Sequence, residues 1–231
     1  NRVTRNWIYS TSKGKNNTIG FGSQVNFDSV GSHIVMPAMF KRETSEHKGY
    51  YRVIGERTGV KNPVILEHFV TISAMSYGSL SANAVSALNK GAGMAGILHN
   101  TGEGGFAPYH QKGGKVIFQL GTGKFGCRDD NGNFSDEAFA KIAAHDNVSM
   151  IELKLMQGAK PGKGGMLPKE KITAEIAAIR KVPIGQDVLS PPRHNEFDTL
   201  SGLFDFIDRL RNLANKPVGI KIVAGHIEEI E

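Results

Sequence analysis

Three short apolar runs carry polar side chains at positions that strand alternation keeps from water. In Val218-Gly219-Ile220-Lys221-Ile222-Val223 the isoleucines share one face, and Lys221 falls on the other with Gly219 and Val223. In Met150-Ile151-Glu152-Leu153-Lys154-Leu155 the same count sets Glu152 beside Lys154, and in Val116-Ile117-Phe118-Gln119-Leu120 it groups Gln119 with Ile117. A buried ammonium is costly unless a carboxylate or a ligand's negative charge meets it. An internal Glu152–Lys154 ion pair is the plainer arrangement, with Gln119 satisfied by backbone. Two lysines against one visible carboxylate still leave positive charge over, and a planar ligand with developing negative charge would absorb it.

Glycine-rich loops follow several of these runs. Gly102-Glu103-Gly104-Gly105 and the stretch Gly158 to Gly165 permit close backbone approach and positive φ, which suits phosphate or carboxylate recognition. Neither matches a Walker A loop, because Gly162-Lys163-Gly164 lacks the hydroxyl residue after the lysine. Gly121-Thr122-Gly123-Lys124-Phe125-Gly126 spells G-x-G-x-x-G, but Cys127 to Asn133 reads as a turn where a dinucleotide-binding helix should begin. Arg193 and His194 follow two prolines that stiffen a turn, which suits holding a cation over a site and equally suits a surface loop. Cys127 has no hydrolase or amidotransferase signature around it and reads as an inert thiol. The histidines lack metal-ligand spacing, so no metal is expected.

The elements that must position these residues appear from Phe69 onward, as a repeated sequence of β-branched run, polar Gly-rich turn and helical pattern. Strands are predicted over Val70–Met75, Gly96–His99, Lys115–Leu120, Val148–Leu155, Ile184–Leu189 and Pro217–Val223. Helices are predicted from Ser81, an N-cap candidate, over Ser135–His145, over Thr173–Arg180 and over the amphipathic Thr199–Ala214. Functional-looking residues after nearly every strand favour a barrel of eight β/α units over a doubly wound sheet, which needs only one switch-point site. The expected fold is therefore an α/β (β/α)8 barrel of which the chain covers roughly the first five units. Residues 1–65 read as an irregular extension packed on the partial barrel of residues 66–231.

Composition narrows the class further. A chain of 231 residues with 39% hydrophobic and 22% charged side chains fits a soluble globular domain. A net charge of +6 favours anionic partners, yet the basic residues are dispersed and aromatics make up only 8%, against nucleic-acid binding. A single cysteine cannot form an intrachain disulfide or supply an iron–sulfur cluster, and implies a reducing, cytoplasmic setting. No run approaches the ~20 apolar residues of a membrane span. The chain opens without methionine and stops inside what reads as a new helix, so both ends are expected to be cut.

Four segments together resemble the FMN-binding domain of the glutamate synthase family: Ile72-Ser73-Ala74-Met75-Ser76-Tyr77-Gly78-Ser79-Leu80-Ser81, Asn100-Thr101-Gly102-Glu103-Gly104-Gly105, Leu155-Met156-Gln157-Gly158-Ala159-Lys160-Pro161-Gly162 with Gly164-Gly165, and Leu189-Ser190-Pro191-Pro192. The likeness covers about residues 65 to 225. Thr18-Ile19-Gly20-Phe21-Gly22 is similar to the stand-alone bacterial members of the family. The resemblance implies an FMN-containing barrel that reduces 2-iminoglutarate, formed from 2-oxoglutarate and ammonia. It implies that Met75, Ser76, Asn100 and Gln119 line the flavin and that Lys221 sits by its N1 and C2 carbonyl. Glu103, Gln157 and Lys160 then face the keto acid, with Lys154 among the catalytic groups and Arg193 and His194 on the substrate side. The family's glutaminase cysteine and its iron–sulfur ligands lie outside this chain, as do the electron donor and the barrel's last strands. Stand-alone relatives often carry a hydrophobic segment before this region, which allows a membrane-anchored parent. The competing expectations are a non-catalytic module that holds a phosphorylated or dicarboxylate ligand, and an inactive partial barrel that forms a homo-oligomer through its open edge.

Overall fold

A computed structural model describes residues 2–15, 31, 39–40, 51–156, 164–223, 225, 226 and 228. The chain divides into two units, Asn1–Lys48 and Gly49–Glu231. The first holds helix α1 (Arg2–Ser12), on which Val3 and Trp7 share a face; a turn through Gly14 at φ +65 ends it.

The second unit opens with an antiparallel ribbon of β1 (Arg52–Ile54) and β2 (Val64–Leu66). Each run carries two β-branched residues, Val53 and Ile54 in β1 and Val64 and Ile65 in β2, and Gly55 and Gly59 supply the positive φ their connection needs. The segment expected to be irregular thus carries a helix and a two-stranded ribbon.

Next come α2 (Ala82–Ala95), β3 (His99–Asn100), β4 (Val116–Leu120), α3 (Asp136–Ala143) and β5 (Val148–Lys154). They are followed by β6 (Met166–Leu167), α4 (Ala174–Arg180), β7 (Val188–Leu189), α5 (Leu200–Ala214) and β8 (Val218–Lys221). Each of the four α-helices described in this unit starts at a hydroxyl cap. The side chains of Ser81, Ser135, Thr173 and Thr199 accept from the N–H of Ala84, Ala138, Ile176 and Gly202 at 3.1–3.3 Å.

The main sheet has the order β3-β4-β5-β8, all parallel. Ile72 extends it by one further position, with its N–H 2.8 Å from the Leu98 carbonyl and its own carbonyl 2.9 Å from the Asn100 N–H. The expected strand Val70–Met75 is therefore present only as this bridge. The expected strand Ile184–Leu189 does not join the series: β7 pairs antiparallel with β6. Gly185 at φ +84 turns the chain, and the Asp187 carboxylate accepts the Lys169 N–H at 2.8 Å, so only two residues remain extended. Among the described residues the sheet does not close on itself.

One face of the sheet is dry. Val116, Phe118, Leu120, Ile151 and Leu153 pack on Phe139 and Ala143 of α3 and on Leu203, Phe206, Leu210 and Ala214 of α5. Each large side chain buried there contributes about 1.5–3 kcal/mol. The register puts Asn100, Gln119, Glu152, Lys154 and Lys221 on the other face. The helices therefore anchor the sheet from one side and leave its polar row for the other.

Candidate functional site

The polar row is joined in a way that strand alternation alone does not specify. Glu152 lies in register between Gln119 and Gly219, and its Oε1 accepts the side-chain amides of Gln119 at 2.5 Å and Asn100 at 2.9 Å. Asn100 Oδ1 in turn accepts the Gly102 N–H at 2.9 Å, which fixes the start of the loop after β3. Lys154 does not pair with Glu152; its Nζ reaches over the end of β5 to Glu103 Oε2 at 3.1 Å. The plainer Glu152–Lys154 ion pair is thus corrected, because Glu152 is already satisfied by two amides and Glu103 is brought within reach by the loop.

Lys221 is half-buried and stands in register with Lys154. Neighbouring strands lie about 4.8 Å apart, so the two ammonium stems rise side by side. Among the described residues no carboxylate or carbonyl meets Lys221 Nζ. With Glu103 brought over it, the face holds two lysines and two carboxylates, so the surplus counted from the strands alone is offset, and what remains among the described residues is a Lys221 Nζ that neither carboxylate meets.

Glu103 is held in a cradle of glycines. A Cβ on Gly121 would come 2.5 Å from Glu103 Oε2, and one on Gly165 would come 2.5 Å from Glu103 Oε1. The loop that carries Glu103 is itself pressed against its neighbours. A Cβ on Gly102, at φ +67, would meet the Ser76 N–H group at 2.8 Å, and one on Gly104 would meet Arg180 Nη2 at 2.8 Å. These two glycines answer to close packing of the protein on itself.

A cavity of about 190 Å³ opens beside the cradle, lined by Ser76, Ser79, Glu103, Phe125, Arg180 and Ser190. Ser76 Oγ donates to Ser79 Oγ at 2.9 Å on its rim. Arg180 is buried; its Nη2 donates to the Tyr77 carbonyl at 3.0 Å and its guanidinium lies 5.2 Å from the centre of the Phe125 ring. Burial pulls the Arg180 pKa below its usual value and the charge of Glu103 opposes that pull. Arg180 Nε has no hydrogen-bond partner among the described residues. The sequence reading missed Arg180, although Ile176 and Arg180 are four apart on α4 and that spacing puts the arginine on the buried face.

The remaining expected site residues divide. Met75 is tied by backbone, its N–H donating to the Asn100 carbonyl at 3.1 Å and its carbonyl accepting from His110 Nε2 at 3.0 Å. Gln157 and Lys160 lie outside the described residues. Arg193 is not brought to the cluster: it pairs with Asp198 at 2.9 Å, with both side chains more than 70% exposed. His194 is corrected too, since its ring is buried and its Nε2 donates to the Lys154 carbonyl at 2.9 Å.

A larger cavity, about 630 Å³, lies at the opposite ends of the strands, beside Lys115, Asp146 and Lys216. Its lysines close the C-terminal turn of α3: Lys115 Nζ donates to the Asp146 carbonyl at 2.7 Å, and Lys216 Nζ to the carbonyls of Ala143 and His145. The polar row, the Glu103 cradle and Arg180 all gather instead beyond the C-terminal ends of β3, β4 and β5, where parallel α/β folds bind ligands.

The fold and this cluster define an α/β protein with a cation-rich cleft at the C-terminal edge of a parallel sheet. A family model described as a conserved region in glutamate synthase matches residues 33–231, and the chain belongs to the glutamate synthase family. It is 48% identical over 186 residues to the glutamate synthase large subunit-like protein YerD of Bacillus subtilis, covering 80% of this chain and 35% of that one. It is 37% identical over 173 residues to the archaeal-type glutamate synthase [NADPH] of Thermotoga maritima, covering 74% and 32%. With the archaeal glutamate synthase [NADPH] of Archaeoglobus fulgidus it shares 39% identity over 166 residues, covering 71% and 30%. The chain spans about a third of the length of these curated relatives.

Proposed function

We propose that this chain forms the FMN- and substrate-binding part of a glutamate synthase-type oxidoreductase. In this reading the open sheet supplies the first five strands of a (β/α)8 barrel whose lumen is the polar face. The observation that carries it is Lys221: it rises in register with Lys154, Glu103 answers Lys154, and among the described residues no carboxylate or carbonyl meets the Lys221 ammonium on the polar face. The names of the relatives and the family match support the same class of chemistry.

The residues fit FMN. Lys221 would offer a cation to the electron-rich isoalloxazine, and Asn100 and Gln119 each keep a second amide N–H beyond the one given to Glu152. Met75 and Ser76, in the first β/α turn, would also help hold the flavin. FMN, when bound, supplies the two-electron reduction of an imine carbon. The chain's own groups do the rest. Arg180, which lines the cavity, and the cavity's serines hold a carboxylate of a 2-oxoglutarate- or glutamate-like substrate. Glu103, kept in place by Lys154 and the glycine cradle, is positioned to hold or move a proton at the substrate nitrogen.

The test is Lys221→Ala in the intact protein. A lost charge-assisted contact of about 1.5–3 kcal/mol corresponds to a roughly 10- to 100-fold weaker FMN complex, with thermal stability little changed. Unchanged FMN affinity and reduction kinetics would remove Lys221 from the site.

A further inference from the structure

His194 was expected to touch substrate, and the structure gives it a different task. Its side chain is 1% exposed and stacks on Phe197, with ring centroids 5.6 Å apart. Nε2 donates to the carbonyl of Lys154, the residue whose Nζ holds Glu103. A carbonyl only accepts, so the ring proton on Nε2 is assigned by its partner. Behind the ring, Nδ1 lies 3.5 Å from Glu196 Oε2 without a hydrogen bond between them, while Glu196 Oε1 takes Lys124 Nζ at 2.8 Å. Lys124 is buried, sits at φ +52 and also donates to Asn195. Burial alone would raise the Glu196 pKa, but the nearby His194 ring and the Lys124 ammonium outweigh it and hold it at about 2, so Glu196 is ionised. Thr122 Oγ1 adds a second tie from the same loop, donating to the Pro191 carbonyl at 2.7 Å.

We propose that His194 is a positioning residue: packed on Phe197 beside the Lys124–Glu196 ion pair, it clamps the main chain at the end of β5 and so aims Lys154 at Glu103. The clamp joins three separate segments, the loop after β4, the proline turn after β7 and the last residue of β5. None of its three side chains lines the Glu103–Arg180 cavity, so its effect on chemistry is exerted through Lys154. That consequence for catalysis rests on the functional reading above, whereas the clamp itself does not.

Amide hydrogen exchange of the full chain separates a local clamp from general stability. Leu155 N–H bonds the Lys221 carbonyl at 3.0 Å just past the clamped residue, and Ile151 N–H bonds the Pro217 carbonyl at 2.9 Å inside the same strand. In His194→Ala, exchange at Leu155 rises about 10- to 100-fold while Ile151 stays within about twofold; His194→Gln, which keeps an amide donor, recovers part of the protection. Equal acceleration at both amides, or none at Leu155, overturns the proposal. Should His194→Ala not fold, the wild type and His194→Gln carry the test. The wild-type imidazole Nε2–H must appear as a slowly exchanging proton in a ¹H–¹⁵N spectrum, absent from His194→Gln, and rapid exchange there overturns the clamp. In the holoenzyme the expected counterpart is a roughly 10- to 100-fold fall in kcat with KM for the keto acid retained. A changed KM with unchanged kcat would overturn the link to catalysis while leaving the exchange result standing.

Discussion

Two alanine substitutions probe the Glu103 cradle from opposite sides and should behave differently. On Gly121 the added Cβ would lie 2.5 Å from Glu103 Oε2 and 2.8 Å from Glu103 Cβ, so both ends of the glutamate side chain are struck. On Gly165 the Cβ would lie 2.5 Å from Oε1, but its next contacts are at 3.5 Å and beyond. Ordinary contact begins near 3.4 Å, so the struck carboxylate oxygen must retreat by about 0.9 Å in either variant. Gly165→Ala achieves this by rotating the carboxylate end, which stretches the 3.1 Å contact with Lys154 and leaves the fold nearly unchanged. Gly121→Ala must also move Cβ and the loop behind it, an overpacking that costs about 1–3 kcal/mol. Urea denaturation of the two variants measures the stability difference, and a crystal structure or the exchange rate of the Lys154 ammonium reports the ion pair. Equal stability loss in both variants, or an intact Lys154–Glu103 contact in Gly165→Ala, would refute the cradle.

Other outcomes follow from buried groups. His99 is fully buried, and burial, with a smaller contribution from His110, lowers its pKa from 6.5 to about 4; His110 is lowered in the same direction. The unfolded chain therefore takes up the proton first, so the stability due to neutral His99 is complete above pH 6.5 and is lost as the pH falls toward 4. The loss is on the order of 3 kcal/mol, and urea melts at pH 7 and pH 4.5 should show it; His99→Gln should flatten the slope, and an unchanged slope would contradict the assignment. Cys127 is buried in the main core and burial pushes its thiol pKa far up, so a thiol reagent should label it only as fast as the protein unfolds. Labelling of the native protein at the rate of a free thiol would show that the core opens there.

Local chemistry made much of the fold legible. The hydroxyl caps at Ser81, Ser135, Thr173 and Thr199 each precede an apolar periodic run, and each starts a helix. Alternation within β4, β5 and β8 assigned Gln119, Glu152, Lys154 and Lys221 to one face, because that assignment depends only on the twofold repeat of a strand. Partners were less accessible. Whether Lys154 meets Glu152 or Glu103 depends on how the loop after β3 folds over the strand ends, and neither residue's own run records that. The same holds for Arg193 and His194, adjacent residues whose side chains diverge into solvent and core. Ile184–Leu189 has a strand's composition, but the turn at Gly185 and the short partner β6 leave it as a side ribbon. Arg180 carried a readable signal in its helical spacing, whereas the Lys124–Glu196 brace spans 72 residues and carried none.

The most direct test of the central claim is to titrate FMN into the purified intact protein, following flavin fluorescence and visible absorption beside the Lys221→Ala variant. The account predicts saturable binding of one flavin per chain that Lys221→Ala weakens at least about tenfold without lowering the melting temperature. Absence of flavin binding by the wild type, or identical titrations for both proteins, would contradict it.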